Sequence, residues 1–545
     1  MIAVIFFILA AVLLSLSFSS FSAVGGFLPV RQAGASGGNL WLFAWCGFIP
    51  LFIALENKSL RRAFLIAFFC GVVFWSLCVY WLIHVTLLGQ IALVLYLAVY
   101  FGLFGGVIYF SRFLSVKNRL FWLPASWVLL EYSRSYLFTG FPWSLIGLSQ
   151  YKNLPVIQIA DITGAWGVSF LVVLINTAFY LILRKQSRVK VSLICAAILF
   201  LSLAYGFYKL SYKPDFALPV KSLKISVVQG NIPQHLKWNS RAVDFILNNY
   251  RELTVEAAKD KPDLIIWPEA AVPGVWGRDD AEFAQVFSLA GQLDTNLLVG
   301  AVSYLNQDYF NSALFINRQG ALAEIYHKLH LVPFGEYIPL KNIFPFLETI
   351  APIGDIRPGR EYTIFKQPAN TSAAPKLWSK NAPLSISPEQ ALSFAPERVE
   401  WADFGVLICF EDLFPELSRE FIKRGAKFLV NITNDAWYKE GSAPYQHFAS
   451  SVFRSVENRV YLVRAANTGI SGFIDPAGRI LGIVRNAQEK EIFVPGYSSQ
   501  NIYLAAGRHT IYNRYGDFFV VFCLLFDACV VISILRKKKY FCAQK

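Results

Sequence analysis

The chain has 545 residues, of which 55% are apolar and only 16% are charged. Soluble domains carry roughly 25% charged residues, so this composition excludes a disordered chain and argues against a wholly soluble protein. Lys and Arg number 50 against 36 for Asp and Glu, which gives a net charge of +14. In an apolar chain this balance is typical of cytoplasmic loops and of contacts with anionic lipid headgroups.

Long apolar runs predict a membrane domain, since about 20 apolar residues cross a bilayer as a helix. We expect about eight transmembrane helices, near 2–24, 40–55, 63–84, 91–111, 120–138, 156–183, 191–209 and 517–535. A cleaved signal peptide is the alternative for the first run, but no Lys or Arg precedes it, which favours an uncleaved anchor. Seven helices then fall within 1–215, and the eighth falls with a basic tail within 506–545.

The basic residues of the short loops orient the chain in the membrane. They follow the second, fourth, sixth and eighth predicted spans, at 58–62, 112–119, 184–190 and 536–539. By the positive-inside rule both termini are cytoplasmic, and the long stretch between the seventh and eighth spans lies outside. No RNA- or DNA-binding motif accompanies these residues, so nucleic acid is excluded as a partner.

The outer stretch, 216–505, alternates predicted strands with predicted helices, which indicates an α/β domain whose helices cover buried strands. Strands are expected at 224–229, 263–267, 296–303, 310–317, 321–327, 404–409, 427–432, 460–466, 470–475 and 478–484. Helices are expected at 241–259, 279–293, 414–424 and 444–459. The pattern fails over 361–400, which is rich in Ser, Pro, Ala, Asn and Lys and predicts a long insertion loop.

Two charged groups follow predicted strands, where α/β sheets commonly place ligand sites. Glu269 comes directly after Trp267-Pro268 and is a candidate general base, with a strand-end salt bridge as the alternative. Lys328 follows the strand that ends near His327 and could stabilise an oxyanion, or could be a solvated surface charge. His327 and His330 could suggest a metal, but they lack a third ligand nearby and a strand would point them to opposite faces, so we expect no metal site.

Cys409 is the one cysteine of eight that lies in the outer domain, so it is either an inert buried thiol or a reactive one. It precedes the helix predicted at 414–424, and a helix N-terminus lowers the pKa of a nearby thiol. We therefore expect the pKa of Cys409 to fall below about 8.5. A base, a cation and a thiol form a plausible set for acyl transfer, although the sequence does not show that they converge.

Trp267-Pro268-Glu269, Lys328 and Cys409, in this order, resemble the Glu-Lys-Cys triad of the nitrilase superfamily. More narrowly, four segments resemble the apolipoprotein N-acyltransferase family: Gln229–Trp238, His330–Pro339, Asn434–Trp437 and Glu457–Gly469. The outer domain between the seventh and eighth spans fits the same family. The resemblance covers essentially the whole chain and is most specific over 225–475. It implies a nitrilase-like α-β-β-α sandwich on the periplasmic side of a bacterial inner membrane.

The resemblance also implies roles for particular residues. Glu269 would be the proton acceptor, Lys328 the oxyanion-stabilising cation and Cys409 the nucleophile. Supporting roles would fall to Glu336 and Glu411, and substrate-binding roles to Trp238 and Trp437. Two features depart from the family pattern: Phe410 stands where we expect tyrosine, and the insertion at 361–400 looks longer than usual.

The implied reaction transfers a fatty acyl group from a phospholipid, phosphatidylethanolamine, through a thioester to the N-terminal diacylglyceryl-cysteine of an apolipoprotein. It needs no cofactor, and nothing in the sequence requires more than a monomer. A membrane-tethered amidase with the same triad is the first alternative, and a transporter or sensor with an unreactive Cys409 is the second. The apolar loops Val272–Gly277 and Ile343–Leu347 favour a lipid donor if they face the bilayer.

Overall fold

The computed structural model describes residues 2–18, 40–211, 221–338, 356–368, 401–504 and 509–543. The first part of the chain is helical. Its α-helices are α1 (Ile2–Leu16), α2 (Ile49–Ala54), α3 (Leu60–Cys78), α4 (Leu87–Ser111), α5 (Val116–Tyr136), α6 (Leu154–Ile157), α7 (Ala160–Thr163), α8 (Ala165–Leu183) and α9 (Arg188–Ser211). A long helix, Phe518–Ala543, closes the described chain.

Five helices in the described ranges are long and apolar enough to cross a membrane: α3, α4, α8, α9 and Phe518–Arg536 of the last helix. The prediction of about eight spans is thus confirmed in part. The predicted span at 156–183 is wrong as a single helix, because the chain turns at Gly164 between α7 and α8. Gly164 has a φ of +66°, and a Cβ there would lie 2.5 Å from the ring of Tyr512, so the turn requires glycine.

The α/β domain contains thirteen strands among the described residues. They are β1 (Lys221–Gln229), β2 (Leu264–Ile266), β3 (Val275–Trp276), β4 (Asn296–Leu305), β5 (Asp308–Ile316), β6 (Leu322–His327), β7 (Ile364–Pro368), β8 (Trp401–Ile408), β9 (Phe428–Thr433), β10 (Leu462–Ala466), β11 (Gly472–Ile474), β12 (Ile480–Ile483) and β13 (Gly496–Leu504). The helices are α10 (Val243–Ala258), α11 (Asp280–Leu293), α12 (Pro415–Lys423), α13 (Ala443–Asn458) and α14 (Ile511–Tyr515), and the final helix is α15 (Phe518–Ala543).

The strands form two sheets that pack face to face. The seven-stranded sheet has the order β13-β1-β2-β4-β5-β6 with β3 beside β4, and the six-stranded sheet has the order β12-β11-β10-β9-β8-β7. Alternate apolar residues such as Ile266 and Phe315 point toward the other sheet, where Phe315 lies 6.0 Å from Phe404 between ring centroids. The opposite face of the first sheet packs on α10 and α11, whereas α12 and α13 lie on the second sheet. This arrangement confirms the predicted α-β-β-α sandwich.

Three strands were missing from the sequence prediction: β3, β7 and β13. The first, β3, is only two residues long and lies beside β4. The edge strand β13 pairs antiparallel with β1 along its whole length, and its polar, half-exposed residues carry no apolar alternation. The strand β7 lies inside the predicted insertion at 361–400 and pairs with β8. The insertion loop therefore cannot begin before residue 369, and 369–400 lie outside the described residues.

Candidate active site

The strand ends bring the predicted charged residues together. Glu269 follows β2, Lys328 follows β6, and the Lys328 Nζ lies 3.7 Å from Glu269 Oε1 and 2.9 Å from Glu336 Oε2. The side-chain amide of Asn311, on β5, donates to Oε1 of both glutamates at 2.7 Å. We call these four residues the pocket cluster: Glu269, Asn311, Lys328 and Glu336. None of the described residues donates a hydrogen bond to Glu269 Oε2, so this oxygen is open to a further proton.

Cys409 follows β8 and lies within the electrostatic reach of the pocket cluster. Burial and then the Glu269 carboxylate raise the pKa of its thiol, while Lys328 lowers it, and the net effect lies well above the ordinary value. The prediction of a pKa below about 8.5 is therefore wrong. The thiol is followed by a short 3-10 turn, Cys409–Leu413, and not by the α-helix itself, so desolvation outweighs the helix end. The resting thiol is neutral and needs a base.

Glu411 connects the chain segments that carry the cation and the thiol. Its Oε1 accepts hydrogen bonds from the backbone N–H groups of Leu329 at 2.7 Å and His330 at 3.0 Å. Its Oε2 accepts from the N–H of Ile408 at 2.7 Å. Burial raises the pKa of Glu411 to about 7, although these backbone donors and Lys328 oppose the rise. The carboxylate thus fixes the residues beside Lys328 and Cys409 relative to each other.

The two tryptophans lie on exposed loops. Trp238 is 58% exposed and Trp437 is 51% exposed, so both rings are available to another molecule. The loops are tied together by the Asn434 side chain, which donates to Gln234 Oε1 at 2.7 Å. Phe410 instead packs inward, with its ring centroid 5.2 Å from that of Phe414.

A second cluster of charges lies next to Cys409, and the sequence interpretation missed it. We call it the buried cluster: Asp412, Asp435, His447 and Arg464. His447 Nε2 is 2.8 Å from Asp412 Oδ1 and Nδ1 is 3.0 Å from Asp435 Oδ1. Arg464 donates to Asp412 Oδ2 at 2.9 Å and to Asp435 Oδ2 at 3.4 Å. Burial and Arg464 lower the pKa of His447, but the two aspartates outweigh them and raise it to about 9.

The buried cluster holds the backbone of Cys409. Cys409 has a φ of +54°, in the left-handed region that a non-glycine residue adopts only when its surroundings enforce it. Its carbonyl oxygen accepts from the Asn431 side-chain amide at 3.2 Å and from His447 Nε2 at 3.3 Å. The only sequence signal for this cluster was the position of Asp435 and Arg464 inside the segments that carry the family resemblance.

The helical part of the chain contacts α13 next to the buried cluster, through Gln446, which directly precedes His447. Gln446 Oε1 accepts from the indole N–H of Trp81 at 3.1 Å and from that of Trp143 at 2.7 Å. The Gln446 Nε2 donates to the carbonyl oxygen of Cys78 at 3.0 Å. The ring of Trp143 also lies 5.4 Å from that of His447. Two loops of the membrane domain therefore contact the structure that supports Cys409.

Other predicted features lie elsewhere. The candidate lipid-facing loop Val272–Gly277 is partly buried: Val272 is buried, and Trp276 packs on Phe283 and Phe287 of α11 at 5.4 and 5.2 Å. These contacts favour packing within the α/β domain for this loop, while Ile343–Leu347 lies outside the described residues. Within the described ranges, no group of three or more His, Cys, Asp or Glu is placed to hold a metal ion.

Two family models match the chain. The apolipoprotein N-acyltransferase N-terminal domain matches residues 10–178, and the carbon-nitrogen hydrolase domain matches residues 224–505. The first match covers most of the helical part, and the second covers the sandwich that carries the pocket.

Curated relatives match over most of both chains. The apolipoprotein N-acyltransferase of Geobacter metallireducens is 35% identical over 97% of this chain and 95% of its own. That of Rickettsia prowazekii is 32% identical over 79% of this chain and 81% of its own. The apolipoprotein N-acyltransferase 2 of Treponema denticola is 28% identical over 90% of this chain and 92% of its own.

Proposed function

We propose a two-step acyl transfer for this chain, which belongs to the apolipoprotein N-acyltransferase family. The fatty acyl group of a phospholipid, phosphatidylethanolamine, passes first to Cys409 as a thioester. It then passes to the α-amino group of the N-terminal diacylglyceryl-cysteine of an apolipoprotein, which completes lipoprotein maturation. The single observation that supports this mechanism best is the pocket cluster, in which two carboxylates, one amide and one buried ammonium converge beside a neutral thiol.

In the first step Glu269 takes the Sγ proton of Cys409, and the sulfur attacks the ester carbonyl of the phospholipid. The open Oε2 of Glu269 is suited to receive this proton, because Oε1 is engaged by Asn311 and Lys328. Burial lowers the pKa of Lys328, but Glu336 and Glu269 outweigh it and raise the pKa, so the ammonium stays charged. Lys328 then stabilises the tetrahedral oxyanion. The leaving lysophospholipid oxygen takes the proton back from Glu269.

In the second step the α-amino group of the acceptor attacks the thioester carbonyl, and Glu269 takes a proton from the attacking nitrogen. The tetrahedral intermediate again places its oxyanion beside Lys328. Collapse forms the amide, expels the Cys409 sulfur, and Glu269 returns the proton to it. A thioester suits this reaction because it reacts with an amine more readily than an oxygen ester does, while burial limits hydrolysis.

The membrane supplies both lipid substrates. We place the sandwich on the periplasmic side of the inner membrane, with about eight spans and both termini in the cytoplasm. The five long apolar helices and the basic loops after the even-numbered predicted spans support this placement. Exposed Trp238 and Trp437 are proposed to contact the substrates at the mouth of the pocket. Hydrolysis of a small amide is less supported, because the relatives matched over most of the chain are named as acyltransferases.

Intact-protein mass spectrometry tests the thioester. Full-length protein in detergent is incubated with phosphatidylethanolamine and no amine acceptor, beside Cys409→Ala and the matched control Cys529→Ala, which removes an exposed thiol on α15. We expect one fatty-acyl mass increment in the wild type and in Cys529→Ala, its removal by hydroxylamine, and none in Cys409→Ala. A Cys409→Ala protein that still acquires the increment would overturn the proposed nucleophile.

Addition of a diacylglyceryl-cysteine peptide then separates a transferase from a hydrolase. We expect the increment to leave the protein and to appear on the peptide as an amide that resists hydroxylamine. Discharge at the same rate without the peptide, with free fatty acid as the product, would instead favour the amidase-like reading.

A further inference from the structure

Lys237 is a second buried cation beside the pocket cluster. It lies in the loop between β1 and α10 and is only 4% exposed. Its Nζ donates to the carbonyl oxygens of Glu269 and Ala270, both at 3.0 Å. None of the described carboxylates forms an ion pair with it. An ammonium in such a place is costly unless it is well hydrogen-bonded, and both bonds go to the peptide segment that carries the proposed base.

The backbone N–H groups around this segment are bonded to the sheet, whereas, within the described residues, its carbonyl oxygens are not. The backbone N–H groups of Trp267 and Ala271 donate to β4, each at 2.8 Å. The carbonyl oxygens of Glu269 and Ala270 receive no backbone hydrogen bond from the described residues. Ala270 also has a φ of +45°, which is unfavourable for alanine and persists only where the surroundings enforce it. Lys237 provides the two donors that the sheet does not.

We propose that Lys237 is a positioning residue for the acyl transfer: its ammonium fixes the Glu269–Ala270 turn so that the base faces Cys409, and it fastens the Trp238 loop to that turn. The proposal deepens the proposed function and rests on it. Trp238 is the next residue along the chain and is exposed, so a substrate that contacts its ring lies one residue from the tether of the base. Because misplacement of a reacting group by about 1 Å costs on the order of 100-fold in rate, such a tether matters for catalysis.

The charge balance of the pocket gives Lys237 a second effect on the base. The pocket cluster holds two carboxylates and one ammonium, and the bonds of Lys237 go only to neutral carbonyls. Its positive charge therefore partly compensates the negative charge of the second carboxylate. Burial lowers the pKa of Lys237 to about 8, and the Glu269 carboxylate, together with Cys409 once it is a thiolate, opposes that decrease.

The test compares Lys237→Met, which keeps the stem and removes the ammonium, with Lys237→Arg, which keeps a cation. Lys259→Met is the matched control, since Lys259 is exposed directly after the neighbouring helix α10. The full-length variants are mixed with phosphatidylethanolamine, and the rate constant of thioester formation is followed by mass spectrometry against donor concentration and pH. Thermal unfolding in the same detergent checks the fold.

We expect Lys237→Met to lower the saturating rate constant about 30- to 100-fold while the half-saturating donor concentration changes less than about threefold. The acidic limb of the pH profile should move upward by roughly one pH unit, since loss of a nearby cation disfavours the carboxylate. Lys237→Arg should recover most of the rate, and Lys259→Met should match the wild type.

A wild-type rate and pH profile in folded Lys237→Met would overturn the inference, as would a loss of rate with an unmoved acidic limb, which indicates a structural role alone. If Lys237→Met does not fold, Lys237→Gln replaces it, because its amide keeps a hydrogen-bond donor without the charge. The rate constant of thioester formation and the acidic limb of the pH profile then decide in the same way. The proposed function fails separately, if the wild type itself forms no thioester.

Discussion

The pocket cluster and the buried cluster both lie near Cys409 and both combine two carboxylates with cationic side chains, yet they differ in how completely those groups are paired. In the buried cluster every carboxylate oxygen of Asp412 and Asp435 has a hydrogen-bond partner, and two cations face two carboxylates. In the pocket cluster one ammonium faces two carboxylates, and Glu269 Oε2 has no donor among the described residues. The difference indicates that complete pairing serves rigidity, whereas incomplete pairing leaves a group able to accept a proton.

The largest expected effect comes from the pocket cluster. Glu269→Gln keeps the shape of the side chain but removes its basicity, so thioester formation should fall by about 1,000-fold or more. The melting temperature should stay close to that of the wild type, because Asn311 and Lys328 keep other partners. Single-turnover acylation and thermal unfolding are the two measurements, with exposed Glu256→Gln as the control. A variant that keeps its rate would remove Glu269 as the base.

The second effect comes from the buried cluster and should be a loss of stability, in contrast to the loss of rate expected for the pocket cluster. Asp412→Asn takes away the charge that pairs with His447 and Arg464, and breaking a buried ion pair costs about 3–5 kcal/mol. Unfolding by urea in detergent should show this loss. Asp308→Asn is the control, since Asp308 pairs with Arg357 at the surface and should cost less than about 1 kcal/mol. An unchanged urea midpoint together with a large loss of acylation rate would contradict the conclusion that the buried cluster serves rigidity.

The third effect is a pH dependence of stability that His447 confers. The pKa of His447 in the folded protein, about 9, lies above the ordinary value of 6.5. The contribution of His447 to the free energy of unfolding is therefore complete below about pH 6.5 and is lost as the pH rises through 9. This difference between the two pKa values corresponds to roughly 3 kcal/mol of unfolding free energy. Melting temperatures should fall more steeply between these pH values in the wild type than in His447→Gln, and parallel curves would contradict the assignment of a charged imidazole.

The smallest effect tests whether the membrane domain supports the buried cluster. Gln446→Leu removes the acceptor of the indole N–H groups of Trp81 and Trp143, and a buried donor without a partner costs about 1–3 kcal/mol. We expect a modest decrease in melting temperature and a severalfold decrease in acylation rate, because Trp143 also contacts His447. Gln292→Leu, on the surface of α11, should change neither quantity.

The sequence predicted two members of the pocket cluster, Glu269 and Lys328, because they stand where buried strands end and strand ends are visible as breaks in apolar runs. Glu336 came only from the family resemblance, and Asn311 was not predicted because it lies within β5. The sequence did not predict the buried cluster, because His447 lies within a helix and meets Asp412 and Asp435 only through tertiary packing. The ionisation of Cys409 was predicted with the wrong sign for a related reason. The helix end is visible in the sequence, but the desolvation that dominates the pKa depends on neighbours far along the chain.

The pairing of β1 with β13 has a consequence for how this enzyme could have arisen and could be rebuilt. Lys221, at the start of the sandwich, lies opposite Leu504, at its end, so the polypeptide enters and leaves the sandwich at one place. A unit with adjacent ends can be inserted into a loop of another protein without forcing the flanking segments apart. The sandwich therefore meets the geometric condition for insertion between two neighbouring transmembrane helices, and a transfer to other helices would also have to carry the contacts of Trp81 and Trp143 with Gln446.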